Sequence, residues 1–337
     1  MTFCIALDAM GGDHGPAEIV PAALSCLKIH PTLEIILVGD EDVLNRVLVE
    51  NSAATSERLR IKHASEVVEM HELPSRALRN KKDSSMRVAI EMVKEGGAGA
   101  CVSAGNTGAL MATARFILKM LPGIDRPAIC SMMPGIKGHT HVLDLGANVD
   151  PSSEQLFQYA VMGAELTSAV DNVKDPTVAL LNVGAEEIKG NDRVKQAAIL
   201  LNDSHLNYVG FVEGNDLYTG KVDVIVCDGF SGNIALKASE GVAELFSTHA
   251  IDVFQGSLYG KLAALISSPV LKEIRRKIDP RRYNGASLLG LKGIVVKSHG
   301  GADRLSFAHA IEEAMIEVTK NVPERISERL EELLIEN

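Results

Sequence analysis

The chain of 337 residues contains no tryptophan, and aromatic residues make up only 4% of it. Single-stranded nucleic acids bind proteins largely by stacking bases on aromatic side chains, so this shortage excludes an extended stacking platform. An excess of positive charge is absent as well. The 34 Lys and Arg residues are outnumbered by 44 Asp and Glu, which leaves a net charge of −10. We therefore expect no nucleic-acid partner.

Long apolar runs and cysteine pairs are also missing. No run approaches the roughly 20 residues of a membrane-spanning helix, and Met1 leads into a predicted strand with no signal peptide before it. We expect reduced, buried thiols in a cytoplasmic protein, with neither disulfides nor zinc sites. The five cysteines, which are odd in number and lack Cys-x-x-Cys spacing, are Cys4, Cys26, Cys101, Cys130 and Cys227.

The chain does contain a long alternation of short apolar runs and helical patterns. Strands are predicted in FCIALDAMGG, EIILVGD, ACVSAGNTG, HVLDLGANVD, TVALLNVGAEE, VDVIVCDGFSGN and GIVVKSHGG, and more weakly in LRIKHA, AICSMMPG and YVGFVEG. Helices are predicted over residues 17–29, 84–94, 108–121, 153–170, 191–202 and 232–250. This alternation indicates a parallel-rich α/β/α sandwich, folded as one two-lobed unit over residues 1–337.

Most predicted strands end on glycines and polar side chains, directly before a predicted helix. Ligands of open α/β sheets bind beyond the carboxyl ends of the strands, and helix N-termini attract anions. A plain helix-capping role is the alternative for any single strand end. Six polar ends on one sheet favour an anion site. Their side chains are Asp8, Asp13, His14, Asn106, Thr107, Asp144, Asn148, Asp150, Asn182, Glu186, Glu187, Asp228, Ser231, Asn233, Lys297 and His299.

Three familiar motifs fail on their spacing. Residues 214–222 resemble a P-loop. However, Gly214 and Gly220 are separated by five residues instead of four, and Val222 occupies the position that requires Ser or Thr. Residues 228–233 resemble a nucleophile elbow, but Gly232 follows Ser231 immediately. The opening stretch places its acid before its glycines, so it lacks the dinucleotide fingerprint. Histidines without metal-binding spacing, for which we expect structural or surface roles and no metal, are His63, His71, His139 and His141.

Residues 256–283 combine an apolar helical face with a basic end. The apolar face, at i, i+4, i+7 and i+8, consists of Leu258, Leu262, Leu265 and Ile266. Over residues 272–297, eight Lys and Arg against two acids leave a net charge of +6. An ordinary core helix with a solvated basic end explains this pattern. A membrane-surface helix or a docking site for an acidic protein explains it equally.

Five stretches carry a family resemblance: ALDAMGGDHGP, SAGNTGALMA, DLGANVD, GFVEGNDLYTGKVDVIVCDGFSGN and GASLLGLKGIVVKSHG. Together they resemble the bacterial phosphate acyltransferases of phospholipid synthesis, which make acyl phosphate from acyl-[acyl carrier protein] and inorganic phosphate. The resemblance implies the fold of the isocitrate and isopropylmalate dehydrogenases and of the phosphotransacetylases. It also implies a homodimer on the inner face of the cell membrane, whose product passes to a membrane glycerol-phosphate acyltransferase.

That reaction suits the residues present. Phosphate is its own nucleophile, and a thiolate with a pKa of about 8.5 leaves without strong acid assistance, so no covalent Ser or Cys and no cofactor are expected. The chemistry needs a phosphate cradle and donors for the developing oxyanion. The predicted catalytic residues are His14, Asn106, Ser231, Asn233, Lys297 and His299. The predicted phosphate-binding or substrate-binding residues are Asp8, Gly11, Gly12, Asp13, Gly105, Thr107, Asn148, Asn182, Asp228, Gly229 and Gly232.

The resemblance implies a binding function for residues 256–283, because acyl carrier proteins are strongly acidic and membranes carry anionic headgroups. The predicted carrier-protein or membrane contacts are Leu258, Leu262, Leu265, Ile266, Lys272, Arg275, Arg276, Arg281 and Arg282. Three alternatives remain open from the sequence: a short-chain acyl-coenzyme A phosphotransacetylase, a nicotinamide-dependent dehydrogenase on the same fold, and a non-enzymatic lipid-binding or scaffold protein.

Overall fold

The structure, a computed structural model, describes residues 3–335, without the side chains of residues 274–278, 280 and 333–335. Within these residues the strands form one sheet. They are Phe3–Asp8 (β1), Leu33–Gly39 (β2), Leu59–His63 (β3), Ala100–Ser103 (β4), Ala128–Pro134 (β5), His139–Leu143 (β6), Val178–Leu181 (β7), Tyr208–Val212 (β8), Val224–Val226 (β9), Ala286–Leu289 (β10) and Ile294–Lys297 (β11).

The helices between and beyond the strands cover both faces of this sheet. They are Pro16–Ile29 (α1), Glu41–Glu50 (α2), Pro74–Asn80 (α3), Ser85–Lys94 (α4), Thr107–Leu118 (α5), Ser153–Val170 (α6), Asp192–Asn202 (α7), Gly229–Gln255 (α8), Leu258–Ile278 (α9), Arg304–Lys320 (α10) and Val322–Ile335 (α11). Short 3₁₀ turns lie at Gly214–Tyr218 and Pro280–Tyr283.

The strands are apolar along their whole length because both of their faces are covered. In β1, Ile5 and Leu7 pack against α1 and α10, whereas Ala6 between them faces the opposite layer with α4 and α5. In the other half of the sheet, Leu143 packs against α6. The predicted α/β/α sandwich is confirmed by this arrangement.

The strand order is β3-β2-β1-β4-β11-β10-β5-β6-β9-β7-β8, and its centre contains three reversals of direction. Strand β10 is antiparallel to both β11 and β5, and β5 is antiparallel to β6. The strands from β6 to β8 therefore run opposite to those from β3 to β11. The six polar strand ends that the sequence predicts on one sheet therefore lie at two opposite edges of it.

Two edges of the sheet must therefore be distinguished. We call the edge where β1, β4 and β11 end, at Asp8, Ser103 and Lys297, the lysine edge. We call the edge where β6, β7 and β9 end, at Leu143, Leu181 and Val226, the aspartate edge.

Helices α8 and α9 form a hairpin that extends from the sheet, with α8 exposed to solvent over most of residues 240–253. The more buried side of α9 carries small residues, at Gly260, Ala263, Ala264, Ser267 and Ser268. The large apolar side chains Leu258, Leu262, Leu265 and Ile266 are 57–87% exposed. The interpretation of this segment as an ordinary core helix is therefore wrong. Across the part of the chain that the structure describes, no helix has the length and apolarity to cross a membrane.

The close packing of α6 on the sheet leads to a testable prediction. A Cβ atom at Gly163 would lie 2.6 Å from Cγ1 of Val224 and 2.8 Å from Cδ1 of Leu143. We expect Gly163→Ala to lower the free energy of unfolding by about 1–3 kcal/mol, because overpacking outweighs the gain in helix propensity. Denaturant unfolding of the purified variant measures this loss.

The matched control is Gly241→Ala in α8, where a Cβ atom would meet nothing within 4 Å. There the same change should stabilise the protein by about 0.5–1 kcal/mol through helix propensity alone. Equal effects at both positions would show that α6 does not pack on the sheet as described.

Candidate active site

The lysine edge is organised around the buried carboxylate of Asp8, which is 1% exposed. The hydroxyl of Ser85 donates to its Oδ1 and that of Ser103 to its Oδ2, both over 2.6 Å. Burial raises the pKa of Asp8, although these hydrogen bonds, one from the Met10 backbone and the charge of Lys297 act in the opposite direction. Asp8 thus ties the end of β1 to β4 and to the first turn of α4.

The paired glycines after β1 allow three loops to meet backbone to backbone. A Cβ atom at Gly11 would lie 2.9 Å from the backbone nitrogen of Gly105, in the loop after β4. Gly12 has a φ of 85°, and a Cβ there would lie 2.9 Å from the carbonyl oxygen of Gly300. The backbone N–H of Asp13 donates to that same carbonyl over 2.9 Å. Glycine is thus required at positions 11 and 12 because backbone atoms of neighbouring loops lie where a side chain would be, independently of any ligand.

Lys297 ends β11 beneath these loops and is only 8% exposed. Its ammonium group donates to the carbonyl oxygen of Ala104 over 3.3 Å and to that of Ser298. Burial lowers the pKa of Lys297 to about 8, against the charges of Asp8 and Asp13, which act to raise it. At neutral pH the lysine edge therefore contains an enclosed cation.

Two exposed histidines lie near this cation in the same loops. His14 follows the paired glycines, and His299 follows Lys297 by two residues. The Nδ1 atom of His299 accepts the backbone N–H of Gly301 over 3.2 Å. In the neutral ring this leaves the proton on Nε2, which is then available as a donor. The backbone N–H of His299 is held by Asn284 Oδ1 at 2.9 Å.

Three helices begin at the lysine edge: α1 after Gly15, α5 after Asn106 and α10 after Asp303. Asn106 is an N-cap, since its Oδ1 accepts the backbone N–H of Ala109 over 3.0 Å. Its Nδ2 donates to the carbonyl oxygens of Met70 and Glu72. This side chain is engaged in structural hydrogen bonds, so its catalytic role remains only a prediction. Thr107 is exposed in the first turn of α5.

The aspartate edge has its own centre at Asp144, which is fully buried. Its Oδ1 accepts the backbone N–H groups of Ile129, Gly146 and Ala147 over 3.0–3.2 Å. Its Oδ2 accepts the backbone N–H of Asn148 over 2.6 Å and that residue's side-chain amide over 3.1 Å. Burial raises the pKa of Asp144, while these hydrogen bonds act to lower it. The carboxylate thus fixes the loop that follows β6.

The N-terminus of α8 is pressed against this loop. A Cβ atom at Gly229 would lie 2.8 Å from the carbonyl oxygen of Asn148, and one at Gly232 would collide with the carbonyl oxygen of Asp144. Asp228 caps the helix by accepting the backbone N–H of Ser231 and its hydroxyl, each over 2.8 Å. The hydroxyl of Ser231 therefore donates to a carboxylate, with no histidine base in this contact.

The remaining predicted site residues also lie at the aspartate edge. Asn182 donates through Nδ2 to the carbonyl oxygen of Lys189 over 3.2 Å. Asn233 lies beside Gly146: a Cβ atom built on Gly146 would be 3.5 Å from the Cβ of Asn233. Asp150 forms an ion pair with Arg193.

The predicted site residues therefore fall into two groups that the sheet places at opposite edges. The lysine edge brings together Asp8, Gly11, Gly12, Asp13, His14, Gly105, Asn106, Thr107, Lys297 and His299. The aspartate edge brings together Asn148, Asn182, Asp228, Gly229, Ser231, Gly232 and Asn233. The enclosed ammonium group of Lys297 makes the first group the better candidate for an anion, with Asp8 and Asp13 beside it as acids. The second group lies beside Asp144, Asp150 and Asp228, of which Asp150 is paired with Arg193.

Sequence reasoning missed several residues that hold the lysine edge in place. Asn284 links three loops, since its Nδ2 donates to Ser298 Oγ over 2.8 Å and to the carbonyl oxygen of Ser306 over 2.7 Å. Ser85 reaches Asp8 from a helix 77 residues away in sequence. The apolar run that ends at Ser103 was visible in the sequence, but no local signal marks Asn284 or Ser85, because only long-range pairing brings them there.

The chain matches a known family over most of its length. Residues 3–325 match the family of fatty acid synthesis proteins. A phosphate acyltransferase from Methylococcus capsulatus (strain Bath) is 62% identical over 326 residues, which cover 97% of this chain and 96% of that protein. A phosphate acyltransferase from Nitrosococcus oceani is 59% identical over 336 residues, covering 100% and 99% of the two chains.

Solved structures show the same fold at low sequence identity. A phosphotransacetylase from Streptococcus pyogenes superposes with a TM-score of 0.65 at 18% identity, covering 94% of each chain. A branched-chain phosphotransacylase from Enterococcus faecalis V583 gives a TM-score of 0.57 at 16% identity, covering 94% of this chain and 99% of that one. The predicted phosphotransacetylase-like fold is confirmed.

The chain belongs to the family of fatty acid synthesis proteins and is an acyltransferase. Its relatives within that family are phosphate acyltransferases, so the group to which the sequence motifs pointed is confirmed.

The two buried aspartates should respond differently to loss of charge. In Asp144→Asn the new side-chain NH₂ group would face at least one backbone N–H that now donates to the carboxylate of Asp144. The backbone N–H groups cannot rotate away from this clash between donors. We expect a loss of about 2–3 kcal/mol in the free energy of unfolding. Asp8→Asn should cost less than about 1 kcal/mol, because the hydroxyls of Ser85 and Ser103 can rotate to accept. Chemical denaturation compares the two, and equal losses would contradict this account.

Proposed function

We propose that this protein transfers the acyl group of acyl-[acyl carrier protein] to inorganic phosphate, reversibly, giving acyl phosphate and the free carrier protein. The reaction is an early step of phospholipid synthesis. The observation that carries the proposal is Lys297, a cation enclosed beneath glycine-rich loops at an edge where three helices begin.

Phosphate is placed at the lysine edge by charge and by free N–H groups. The ammonium group of Lys297 supplies the charge, and the N-termini of α1, α5 and α10 supply the positive ends of their helix dipoles. Of Gly11, Gly12 and Gly105, Gly12 alone is partly exposed, so its backbone is the one that an anion can approach. The N–H groups of Gly11 and Gly105 donate to the carbonyl oxygen of Asp8 and to Ser103 Oγ. Asp8 and Asp13 act indirectly, since their charges help to keep Lys297 protonated.

The chemical step needs no covalent enzyme intermediate. A phosphate oxygen attacks the thioester carbonyl carbon, the C–O bond forms, and the C–S bond breaks with its electron pair leaving on sulfur. The resulting thiolate, with a pKa of about 8.5, is stable enough to depart by itself. Nε2 of His299 and the ring of His14 are the donors placed to stabilise the oxyanion on the carbonyl.

The thiols of this chain are poor nucleophiles, which supports direct attack by phosphate. Burial raises the pKa of all five, to about 12 at Cys26, so the reactive thiolate is disfavoured. The hydroxyl of Ser231 donates to the carboxylate of Asp228, with no histidine in this contact.

The helical hairpin α8–α9 is proposed as the contact with carrier protein and membrane. Its outward side carries the exposed Leu258, Leu262, Leu265 and Ile266. Lys272 and Arg282 are exposed as well and add positive charge for an acidic carrier protein or an anionic headgroup. Such a surface would hold the enzyme on the cytoplasmic face of the cell membrane, close to a membrane glycerol-phosphate acyltransferase that consumes its product.

Not every predicted cation in this segment is available for steering. Arg281 donates to Asp279 over 2.7 Å and to Asp303 over 2.8 Å, which ties the 3₁₀ turn to the N-cap of α10. Its guanidinium therefore anchors the end of the hairpin. The side chains of Arg275 and Arg276 lie outside the described residues.

The exposed part of α8, over residues 240–253, is proposed as the homodimer contact. Val242, Leu245 and Phe246 are 56–76% exposed on one stretch of this helix. A monomer that left them in water would expose an apolar surface of the kind that subunit interfaces cover.

The direct test of the activity uses palmitoyl-[acyl carrier protein] and labelled inorganic phosphate, with the acyl phosphate extracted intact into organic solvent. Label should enter the extracted product only when enzyme and thioester are both present. Acetyl-coenzyme A in a parallel reaction tests the short-chain phosphotransacetylase alternative. No acyl phosphate from the carrier thioester, or faster turnover of acetyl-coenzyme A, would overturn the proposal.

The role of Lys297 predicts a pH dependence. Lys297 is protonated below its pKa of about 8 and neutral above it, so phosphate binding should weaken as pH rises through 8. The KM for phosphate should increase above this pH at constant carrier-protein concentration. In Lys297→Gln it should be raised about 10- to 100-fold at pH 7, as for a lost charged hydrogen bond, and should show no further rise near pH 8. An unchanged KM in a folded Lys297→Gln variant would remove this residue from the phosphate site.

The hairpin predicts binding to lipid vesicles that contain phosphatidylglycerol. Replacing Leu262 and Leu265 together by Glu should abolish co-flotation with such vesicles, because it removes apolar area and adds repulsion. Val49→Glu, at a residue 74% exposed on α2, is the matched control and should float like the wild type. Unimpaired flotation of the double variant would mean that the hairpin does not face the bilayer.

The dimer contact predicts a change of mass in solution. Phe246→Glu should convert a dimer to a monomer in light scattering after gel filtration, since a charge would be buried in the apolar contact. A dimer of wild-type stability in this variant would place the subunit interface elsewhere.

A further inference from the structure

A cluster of two histidines and an aspartate lies at the start of β6, away from the residues assigned above. His139 and His141 are two residues apart in a strand, so both point to the same face of the sheet. Asp171 follows the last residue of α6 and meets them there. Its Oδ2 lies 2.9 Å from Nε2 of His139 and 3.0 Å from Nε2 of His141.

One carboxylate oxygen thus serves two imidazole nitrogens, and potential ligand atoms of all three residues lie within 4.8 Å of one another. The two rings are arranged edge to face, with centroids 5.2 Å apart. Both Nε2 atoms thus point at the carboxylate of Asp171, and a small shift of that carboxylate would let one cation contact all three residues.

Further carboxyl groups lie near the cluster. Glu313 and Glu317 of α10 are 7% and 2% exposed, and Asp223 also acts on His139 by its charge. Burial raises the pKa of Glu313 and Glu317, so neither carries a full negative charge at neutral pH.

The cluster is partly open to solvent. His141 is 1% exposed, while the side chains of His139 and Asp171 are 30% and 25% exposed, which gives a small solute access. The Nδ1 atom of His141, across the ring from the Nε2 that contacts Asp171, has no hydrogen-bond partner among the residues that the structure describes.

We propose that His139, His141 and Asp171 bind one transition-metal cation of the Zn²⁺ type, with water as the remaining ligand. Two imidazoles and one carboxylate are donors that suit Zn²⁺, whereas Mg²⁺ and Ca²⁺ prefer oxygen alone. The cation takes the place of the protons that now lie between the histidines and Asp171. It joins the end of α6 to the beginning of β6, so its expected effect is on stability.

The test uses full-length protein freed of any affinity tag, treated with chelator and titrated with Zn²⁺ and, separately, Co²⁺ at pH 7.5. We expect saturation at one Zn²⁺ per chain, a higher unfolding temperature with Zn²⁺ than without, and a visible absorption band with Co²⁺. Mg²⁺ should not reproduce the thermal shift. His139→Gln and Asp171→Asn should each remove the stoichiometric binding.

A second His–carboxylate–His group provides the matched control. His30 and His309 contact different oxygens of Glu312, at 3.4 and 2.9 Å, so they do not share one ligand position. His309→Gln should bind Zn²⁺ like the wild type. No saturable binding by wild-type protein would overturn the proposal. So would equal binding by Asp171→Asn, whose fold is checked by circular dichroism, or an equal thermal shift with Mg²⁺.

Discussion

The antiparallel pairing of β5 with β6 is the constraint on which the rest of this molecule depends. Strand β10 is antiparallel to both of its neighbours, so β11 and β5 still run in the same direction, and the β5–β6 pair reverses the second half of the sheet. Polar loops that look equivalent in the sequence are thereby separated to opposite edges. One edge collects Lys297, His14 and His299 around Asp8 and Asp13, and the other collects Asp144, Asp150 and Asp228. The side chains available at each edge are thus a consequence of strand direction.

Each edge is fixed by a buried carboxylate, but the two carboxylates hold their loops differently. Asp8 is held mainly by two hydroxyl groups and lies near the one enclosed lysine described here. Asp144 is held by four backbone N–H groups and an amide from the same loop and from β5. The first arrangement can tune a neighbouring cation. The second is a rigid support for the start of α8, and through α8 for the hairpin that leaves the body of the protein.

Much of the fold could be predicted from local pattern. The helix over residues 153–170 was predicted with the bounds that the structure gives, because its capping Ser152 and apolar periodicity are both local signals. Strand β10 was missed, since four residues in a glycine-rich stretch carry no periodicity. Residue types at the strand ends pointed to a site, yet their division into two groups depends on the antiparallel pairing of β5 with β6, which the apolar pattern of the two strands does not specify.

The orientation of the hairpin and the grouping of His139, His141 and Asp171 could not be predicted from local sequence pattern either. The spacing of Leu258, Leu262, Leu265 and Ile266 identified a helical face correctly, but not that it points away from the protein. Only the small residues opposite, at Gly260, Ala263 and Ala264, decide that, because they allow α9 to approach α8 closely. His139 and His141 lack a recognised metal spacing, and their third partner lies 30 residues away from His141 at the end of a helix.

The position of β10 and β11 in chain order has a consequence for how the protein is made. Strand β1 pairs with β4, yet the other side of β4 waits for residues 294–297, and the open side of β5 waits for residues 286–289. A ribosome therefore releases two unfinished half-sheets with bare inner margins before the strands that join them emerge. Such margins are templates for unwanted pairing, so chaperones that shield nascent chains should matter most for this protein in the interval before residue 286 is synthesised.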